Sequence, residues 1–359
     1  IDFWYNSCFN LIIIDLYMKA TYFKHTLQFK QASGTSRGIL THKDTWFILL
    51  EEKSLKGIGE CGMFKGLSID DCDGFELKLK WVCQNIDLGL EVLLSQLVAF
   101  PSIQFGLEIA FRSFNQNSLF ELFPSNFTSG HDSISINGLI WMGEFSFMKK
   151  QIKDKLKAGF SCIKLKIGAL DFDKELALLK SIRDEFDPQT IEIRVDANGA
   201  FSPKEALEKL KQLSDFNLHS IEQPIKQGQL DHMAQLCSSS PIPIALDEEL
   251  IGIFSVTNKQ FLLQTIKPQF IILKPTLVGG FKGSQEWIDV AEINKISWWV
   301  TSALESNIGL NAIAQWTYTL NNTLPQGLGT GGLFNNNVQS PLVVSSGRLF
   351  YDLKTKWNL

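Results

Sequence analysis

Lys164 and Lys166 stand two apart in the stretch Ser161–Gly168, S-C-I-K-L-K-I-G, with Ile163, Leu165 and Ile167 interleaved. That period-2 alternation is a β-strand pattern that carries both lysines on one face. Downstream, Asp196 ends I-E-I-R-V-D, Glu222 ends S-I-E, Asp247 ends P-I-A-L-D and Lys274 ends F-I-I-L-K. The successive intervals from Lys166 are 30, 26, 25 and 27 residues, about one strand–helix unit each. One acid therefore falls at the end of each of three successive strands, bracketed by lysines. Three carboxylates in one place repel each other unless a hard cation neutralises them. Oxygen-only ligation suits Mg²⁺, with Mn²⁺ as an acceptable substitute, and no Cys or His is placed to favour zinc. Lysines crowded around such a cation are expected to have pKa values lowered toward neutrality, so that one can act as general base. A cation bound to a substrate carboxylate would stabilise the enediolate left when an α-proton departs. Asn198, two residues after Asp196, and Glu248, next to Asp247, are the expected partners behind the acids.

The elements around these residues must bring strand ends together. Helical spacing at 144–158 and 172–186 puts the lysine strand in a βαβ setting, where helices cover the sheet. Strands are expected near 133–137, 162–167, 191–196, 220–222, 242–247, 270–274, 297–301 and 325–328. Eight strands in about 200 residues fit a (β/α)8-type barrel, whose sites lie at the C-terminal strand ends. The last helix is altered, because Gly327–Gly332 and Asn335–Asn337 are loop chemistry. Before the barrel, strands at 21–29 and 45–51 and helices at 68–82, 88–99 and 103–116 form a small α+β unit. The glycine-rich stretch 57–66 lacks phosphate-loop spacing and is expected to be a mobile loop closing over the barrel mouth. The expected divisions are an N-terminal extension at 1–17, a capping domain at 18–130, the barrel at 131–330, and a C-terminal segment at 331–359 packing back on the cap.

Composition narrows the function classes. At 359 residues the chain is 45% hydrophobic and 20% charged, as in globular proteins. A net charge of −4 without a basic run argues against nucleic acid. Six cysteines without a C-x-x-C pair suit reduced thiols in a cytoplasm. Ile1–Tyr17 has no basic leader, no cleavage site and no run long enough to span a bilayer, so no membrane partner is expected. The five histidines are scattered; only His219 falls in an expected strand, where it is read as structural.

The ordered motifs I-K-L-K-I-G, V-D-A-N-G-A-F, I-E-Q-P, A-L-D-E and I-L-K-P resemble the enolase superfamily, in its muconate-lactonizing subgroup, from about Met18 onward. The resemblance implies α/β architecture, a modified (β/α)7β TIM-type barrel with an α+β capping domain. It implies Asp196, Glu222 and Asp247 as Mg²⁺ ligands. Lys166 and Lys274 would be the acid/base pair on opposite faces of a small-molecule carboxylate, with Lys164 assisting. Lys274 argues against the mandelate racemase subgroup, which uses a His–Asp dyad. Within the subgroup, Arg37, Ser302, Gly329 and Thr330 are the expected substrate contacts. The eighth-strand position reads G-L-G-T-G, without the acidic D-x-D of amino acid epimerases. A dehydratase reaction is therefore expected. An N-acylamino acid racemase or dipeptide epimerase is the alternative, and an inactive barrel used for binding is a third reading.

Overall fold

A computed structural model describes residues 18–35, 38–116 and 118–359. The proposed extension at 1–17 and Arg37 lie outside the described residues. Strands β1 (Lys19–Thr35), β2 (Gly38–Glu52) and β3 (Leu55–Cys61) form an antiparallel sheet. Helices α1 (Phe75–Gln84), α2 (Leu90–Ser95) and α3 (Pro101–Phe114) pack on it. Pro101 at the first helical position starts α3 where a missing N–H costs nothing. Trp46, Ile48 and Leu50 alternate onto one face of β2 and bury against Leu79, Val82, Ile103 and Leu107. This is the capping unit.

The barrel follows. Strands β5 (Gly138–Ile140), β6 (Cys162–Lys166), β7 (Glu192–Asp196) and β8 (Ser220–Glu222) pair in parallel order. Strands β9 (Ile244–Leu246), β10 (Phe270–Leu273) and β11 (Ser297–Val300) continue the same seven-stranded sheet. Gln326 and Gly327 close it, bridging in parallel to Ile136 on one side and Thr301 on the other. Covering helices include α4 (Phe145–Lys157), α5 (Phe172–Arg183), α6 (Pro203–Ser214) and α7 (Leu230–Ser239). They continue with α8 (Val256–Ile266), α9 (Pro275–Val278), α10 (Gly280–Ile293) and α11 (Asn307–Thr319). A capping box of Ser202 and Glu205 sets the start of α6, and Ala206, Leu210 and Leu213 form its buried stripe. None of the described helices is long and apolar enough to cross a membrane.

Two expectations are corrected. The strand placed at 133–137 is divided: β4 (Ser133–Ser135) pairs antiparallel with a C-terminal hairpin, β12 (Leu342–Ser345) and β13 (Arg348–Tyr351), while its end joins the barrel, where Ser135 O accepts from the Gln326 nitrogen and the Asn137 nitrogen donates to Gln326 O. The first full barrel strand is β5, where Gly138 lets the backbone approach Phe160 and Lys155. The C-terminal segment thus binds the barrel through β13. It also meets the cap, where Phe334 bridges Phe29, and Trp357 stacks on Phe120 at 4.1 Å.

The glycine-rich stretch is not a mobile loop either. Its first half is β3, buried from Gly57 to Cys61. A Cβ at Gly59 would lie 1.9 Å from the Gly106 carbonyl oxygen and 2.8 Å from the Ala110 nitrogen. The glycines serve close packing of β3 on α3, and only Phe64 and Leu67 beyond them reach the mouth. Gly59→Ala is accordingly expected to destabilise the fold by about 3 kcal/mol, because backbone cannot yield cheaply. The check is urea unfolding, where an unchanged midpoint would refute this packing role.

Candidate active site

In β6, Ile163 and Leu165 turn outward to the helices and are fully buried, which turns Lys164 and Lys166 into the barrel. Lys166 is in register with Asp196, and Asp196 with Glu222. Glu222 pairs with Ala245, so Asp247 stands one pleat higher at the end of β9. Lys274 follows β10 directly, four strand steps around the eight-membered barrel from β6. Lys164, Lys166 and Lys274 all line one cavity of about 110 Å³ at the strands' C-terminal ends.

The charges are paired at close range. Lys164 lies 3.0 Å from Asp196 and makes a shorter contact with Glu222. Lys166 donates to Asp196 at 2.8 Å and to Asn198 Oδ1 at 2.7 Å. Lys274 donates to Asp247. Asn198 passes the chain on, its amide donating to Glu248 Oε1 at 3.0 Å. Asn198 and Glu248 thus stand behind the first layer.

Burial alone would push Lys164 down, but Asp196, Glu222 and Asp247 outweigh it and hold its pKa above the ordinary lysine range. Lys274 is likewise raised, burial being overcome by Asp247 and Glu222. Carboxylates face these two lysines more closely than other cations do, which sets the direction; a divalent cation drawn to the same carboxylates would act the other way. Burial raises Asp196, yet Lys164 and Lys166 bring it well below the carboxylate range. Glu222 goes the other way, raised well above its usual value by burial and by Asp196.

That asymmetry marks where positive charge is short. Glu222 is 2% exposed, and neither of its oxygens accepts an oriented hydrogen bond. A hard cation shared with Asp196 and Asp247 fits the deficit and the all-oxygen donor set. Among the described residues no three such side chains stand in the geometry of a formed metal cage, since the lysines take the nearest oxygens.

Around the charges the cavity is walled by Phe64 and Leu67 from the cap and by Leu139 and Trp141 after β5. Ser302, Gly329 and Thr330 line the far side, where the Ser302 and Thr330 hydroxyls meet at 2.6 Å. Of the sequence candidates, all but Arg37 are described, and all but the three acids line this cavity directly. His219 lies elsewhere, 4.9 Å from Phe270, beneath Trp299 and away from the mouth.

Trp141 and Gln223 were missed. Gln223 is fully buried and holds two ends of the site. Its Oε1 accepts from the Asp247 and Glu249 nitrogens at 3.2 and 3.3 Å, while its Nε2 donates to Glu249 at 3.0 Å. Its position directly after Glu222 was the available signal.

Residues 148–352 match the family described as Enolase C-terminal domain-like. The chain belongs to the enolase superfamily, as a modified (β/α)7β barrel with an α+β cap. It is 46% identical over 363 residues to o-succinylbenzoate synthase from Desulfotalea psychrophila, covering 92% of this chain and 98% of that one. The crystal structure of MenC from the same organism superposes with a TM-score of 0.83 at 44% identity, covering 93% of this chain and 99% of that chain. The L-Ala-D/L-Glu epimerase of Bacillus subtilis is 27% identical, over 49% of this chain and 47% of its own.

Gln223→Leu leaves the Asp247 and Glu249 nitrogens without their acceptor inside the barrel. A loss of about 2–3 kcal/mol in chemical denaturation is expected, and a change under about 0.5 kcal/mol, the scale of ordinary surface substitutions, would show that Gln223 braces nothing.

Proposed function

We propose that the chain is a Mg²⁺-dependent carbon–oxygen lyase of the o-succinylbenzoate synthase type, acting in the cytoplasm in menaquinone biosynthesis. It converts 2-succinyl-6-hydroxy-2,4-cyclohexadiene-1-carboxylate to 2-succinylbenzoate and water. The observation that carries this reading is 46% identity along almost the whole length of a relative bearing that name. The site chemistry supports it. Gly327–Gly331 offers no acid to hold a substrate ammonium, and Phe64, Leu67, Leu139 and Trp141 offer apolar walls to a six-membered carbon ring.

Asp196, Glu222 and Asp247 would hold the cation, Mg²⁺ or Mn²⁺, which when bound supplies positive charge to a substrate carboxylate. Lys166, as the free amine, takes the proton alpha to that carboxylate. Held by Asn198, the same Nζ then returns this proton to the departing hydroxide, so water leaves and the ring becomes aromatic. Lys274 faces the opposite side and balances the negative charge that develops on the carboxylate, with Lys164 adding positive charge below. The cap excludes water from this exchange.

The alternative, N-acylamino acid racemase or dipeptide epimerase activity, is favoured by the two lysines standing on opposite sides of the barrel, as two-base proton exchange requires. An inactive binding barrel is disfavoured by the intact lysines and acids.

Lys166→Arg keeps the charge but cannot accept a proton near neutral pH. It is expected to keep substrate binding and lose dehydration by about 10²–10⁴-fold, together with α-proton exchange in deuterated solvent. Dehydration near the wild-type rate would remove Lys166 from the mechanism. Exchange surviving on one enantiomer of an N-acylamino acid would favour the racemase.

Mg²⁺ at 100 times its Kd is expected to stabilise the wild-type fold by about 2.7 kcal/mol, read as a higher Tm. Glu222→Gln is expected to abolish that rise; a rise that persists would place the cation elsewhere.

A further inference from the structure

A second buried charge cluster sits where the cap meets the barrel, and none of the steps above uses it. Lys43 of β2 is 7% exposed, while Glu60 of β3 and Glu305, in the turn after β11, are fully buried. Lys43 and Glu305 converge on Gly62. A Cβ there would lie 3.3 Å from Glu305 Cγ, 3.5 Å from Lys43 Nζ and 3.5 Å from Thr276 Cγ2. Lys43 donates to the Gly62 carbonyl at 3.2 Å. Glu305 accepts from the Thr276 hydroxyl and, at 2.8 Å, from the Ala303 nitrogen. Glu60 accepts from the Ser306 and Gly309 nitrogens, both at 2.8 Å.

The far ends of these contacts belong to the active site. Thr276 is two residues past Lys274, and Ala303 lies between Ser302 and Leu304 on the cavity wall. Leu304 adopts φ +62°, a left-handed conformation that a branched residue keeps only when its surroundings impose it. Both carboxylates reach the turn from its buried side, and the one lysine beside them comes from the cap. Burial lowers Lys43 against the pull of Glu60 and Glu305, and burial raises Glu305 against the pull of Lys43. Removing Lys43 leaves Glu305 and Glu60 buried without their shared counter-ion.

We infer that Lys43 and Glu305 are positioning residues through which the seated cap shapes the substrate-binding turn 301–306 and steadies the segment that carries Lys274. The cap then does more than shut out water. With Lys43 in place, Glu305 holds Thr276 and Ala303 together across the gap between β10 and β11. With Lys43 withdrawn, Glu305 keeps only its hydrogen bonds from Thr276 and Ala303 against the cost of burial, and its hold on the strained turn loosens. The kinetic part of this inference rests on the function proposed above; the structural part does not.

The test uses Lys43→Met, Glu305→Gln and the double variant in the full chain. Lys43→Met is expected to lower kcat/KM on the order of 10²-fold, the scale of an ångström-sized misplacement. The double variant, which removes the Glu305 charge together with Lys43 and leaves Glu60 on its Thr45, Ser306 and Gly309 donors, is expected to recover about tenfold over Lys43→Met. Losses that multiply without recovery overturn the coupling. Hydrogen–deuterium exchange without substrate supplies a readout independent of turnover. Amides at 301–306 are expected to exchange faster in Lys43→Met, to slow again in the double variant, and to leave α5 and α6 unaffected. Unchanged exchange at 301–306 overturns the inference even if activity falls. Should Lys43→Met not fold, Thr276→Val removes one donor to Glu305 while keeping its shape. Faster exchange at 301–306 in that variant supports the positioning role, and wild-type exchange overturns it.

Discussion

Everything at the barrel mouth depends on one interaction: three lysine side chains set against three carboxylates, all withdrawn from bulk water. Asp196, Glu222 and Asp247 are at most 2% exposed, and Lys164 is 8% exposed. A buried charge without a partner costs several kcal/mol, so no member can be placed without the others. The parallel register meets that demand by setting Lys166, Asp196 and Glu222 side by side on adjacent strands. Hydrophobic alternation does the rest, because each residue that turns outward to the helices turns its neighbour inward. On the proposed reading a divalent cation and a substrate with two carboxylates add equal and opposite charge to this mouth.

The same economy of charge governs the joint between cap and barrel. Glu108 of α3 accepts hydrogen bonds from the Phe281 and Lys282 nitrogens, filling the orphan donors at the start of α10. Glu60 does the same for the start of α11. Burial raises the Glu108 carboxyl to about 7 against these bonds, the mark of a group enclosed on all sides. The cap is therefore fastened by carboxylates inserted into the barrel's helix starts. A joint of that kind fixes orientation, which apolar contact alone would leave free to slide. Phe64 and Leu67 reach the cavity from the turn after β3, whose glycines lie flat against α3.

Read from the chain alone, the site was legible to an unusual degree for a local reason. Strand periodicity is written in neighbouring residues, so Ile163, Leu165 and the two lysines reveal their faces without any partner. The spacing of Asp196, Glu222, Asp247 and Lys274 follows from the length of one strand–helix unit. Both depend only on covalent geometry and on which side of a strand is apolar. The capping helices were found with their ends misplaced: the segment 68–74 carries apolar residues but is turn, held where Asp70 accepts from Ser102 at 2.9 and 2.6 Å.

What the amino-acid order determined, then, was the repeating barrel, the strand that holds the lysines and the acids at the strand ends. Tertiary structure alone decided the rest. Ser133–Ser135 gained an antiparallel partner outside the seven-stranded sheet because a hairpin more than 200 residues away comes beside it. Gly57 and Gly59 became packing surface because α3 comes within touching distance of them. Lys164 and Lys274 stand beside carboxylates that raise their pKa values, a closeness in space that no spacing rule records. Periodicity is a property of the chain and can be read along it. Coulomb energy and steric contact depend on separation in space, and only the folded barrel supplies that separation.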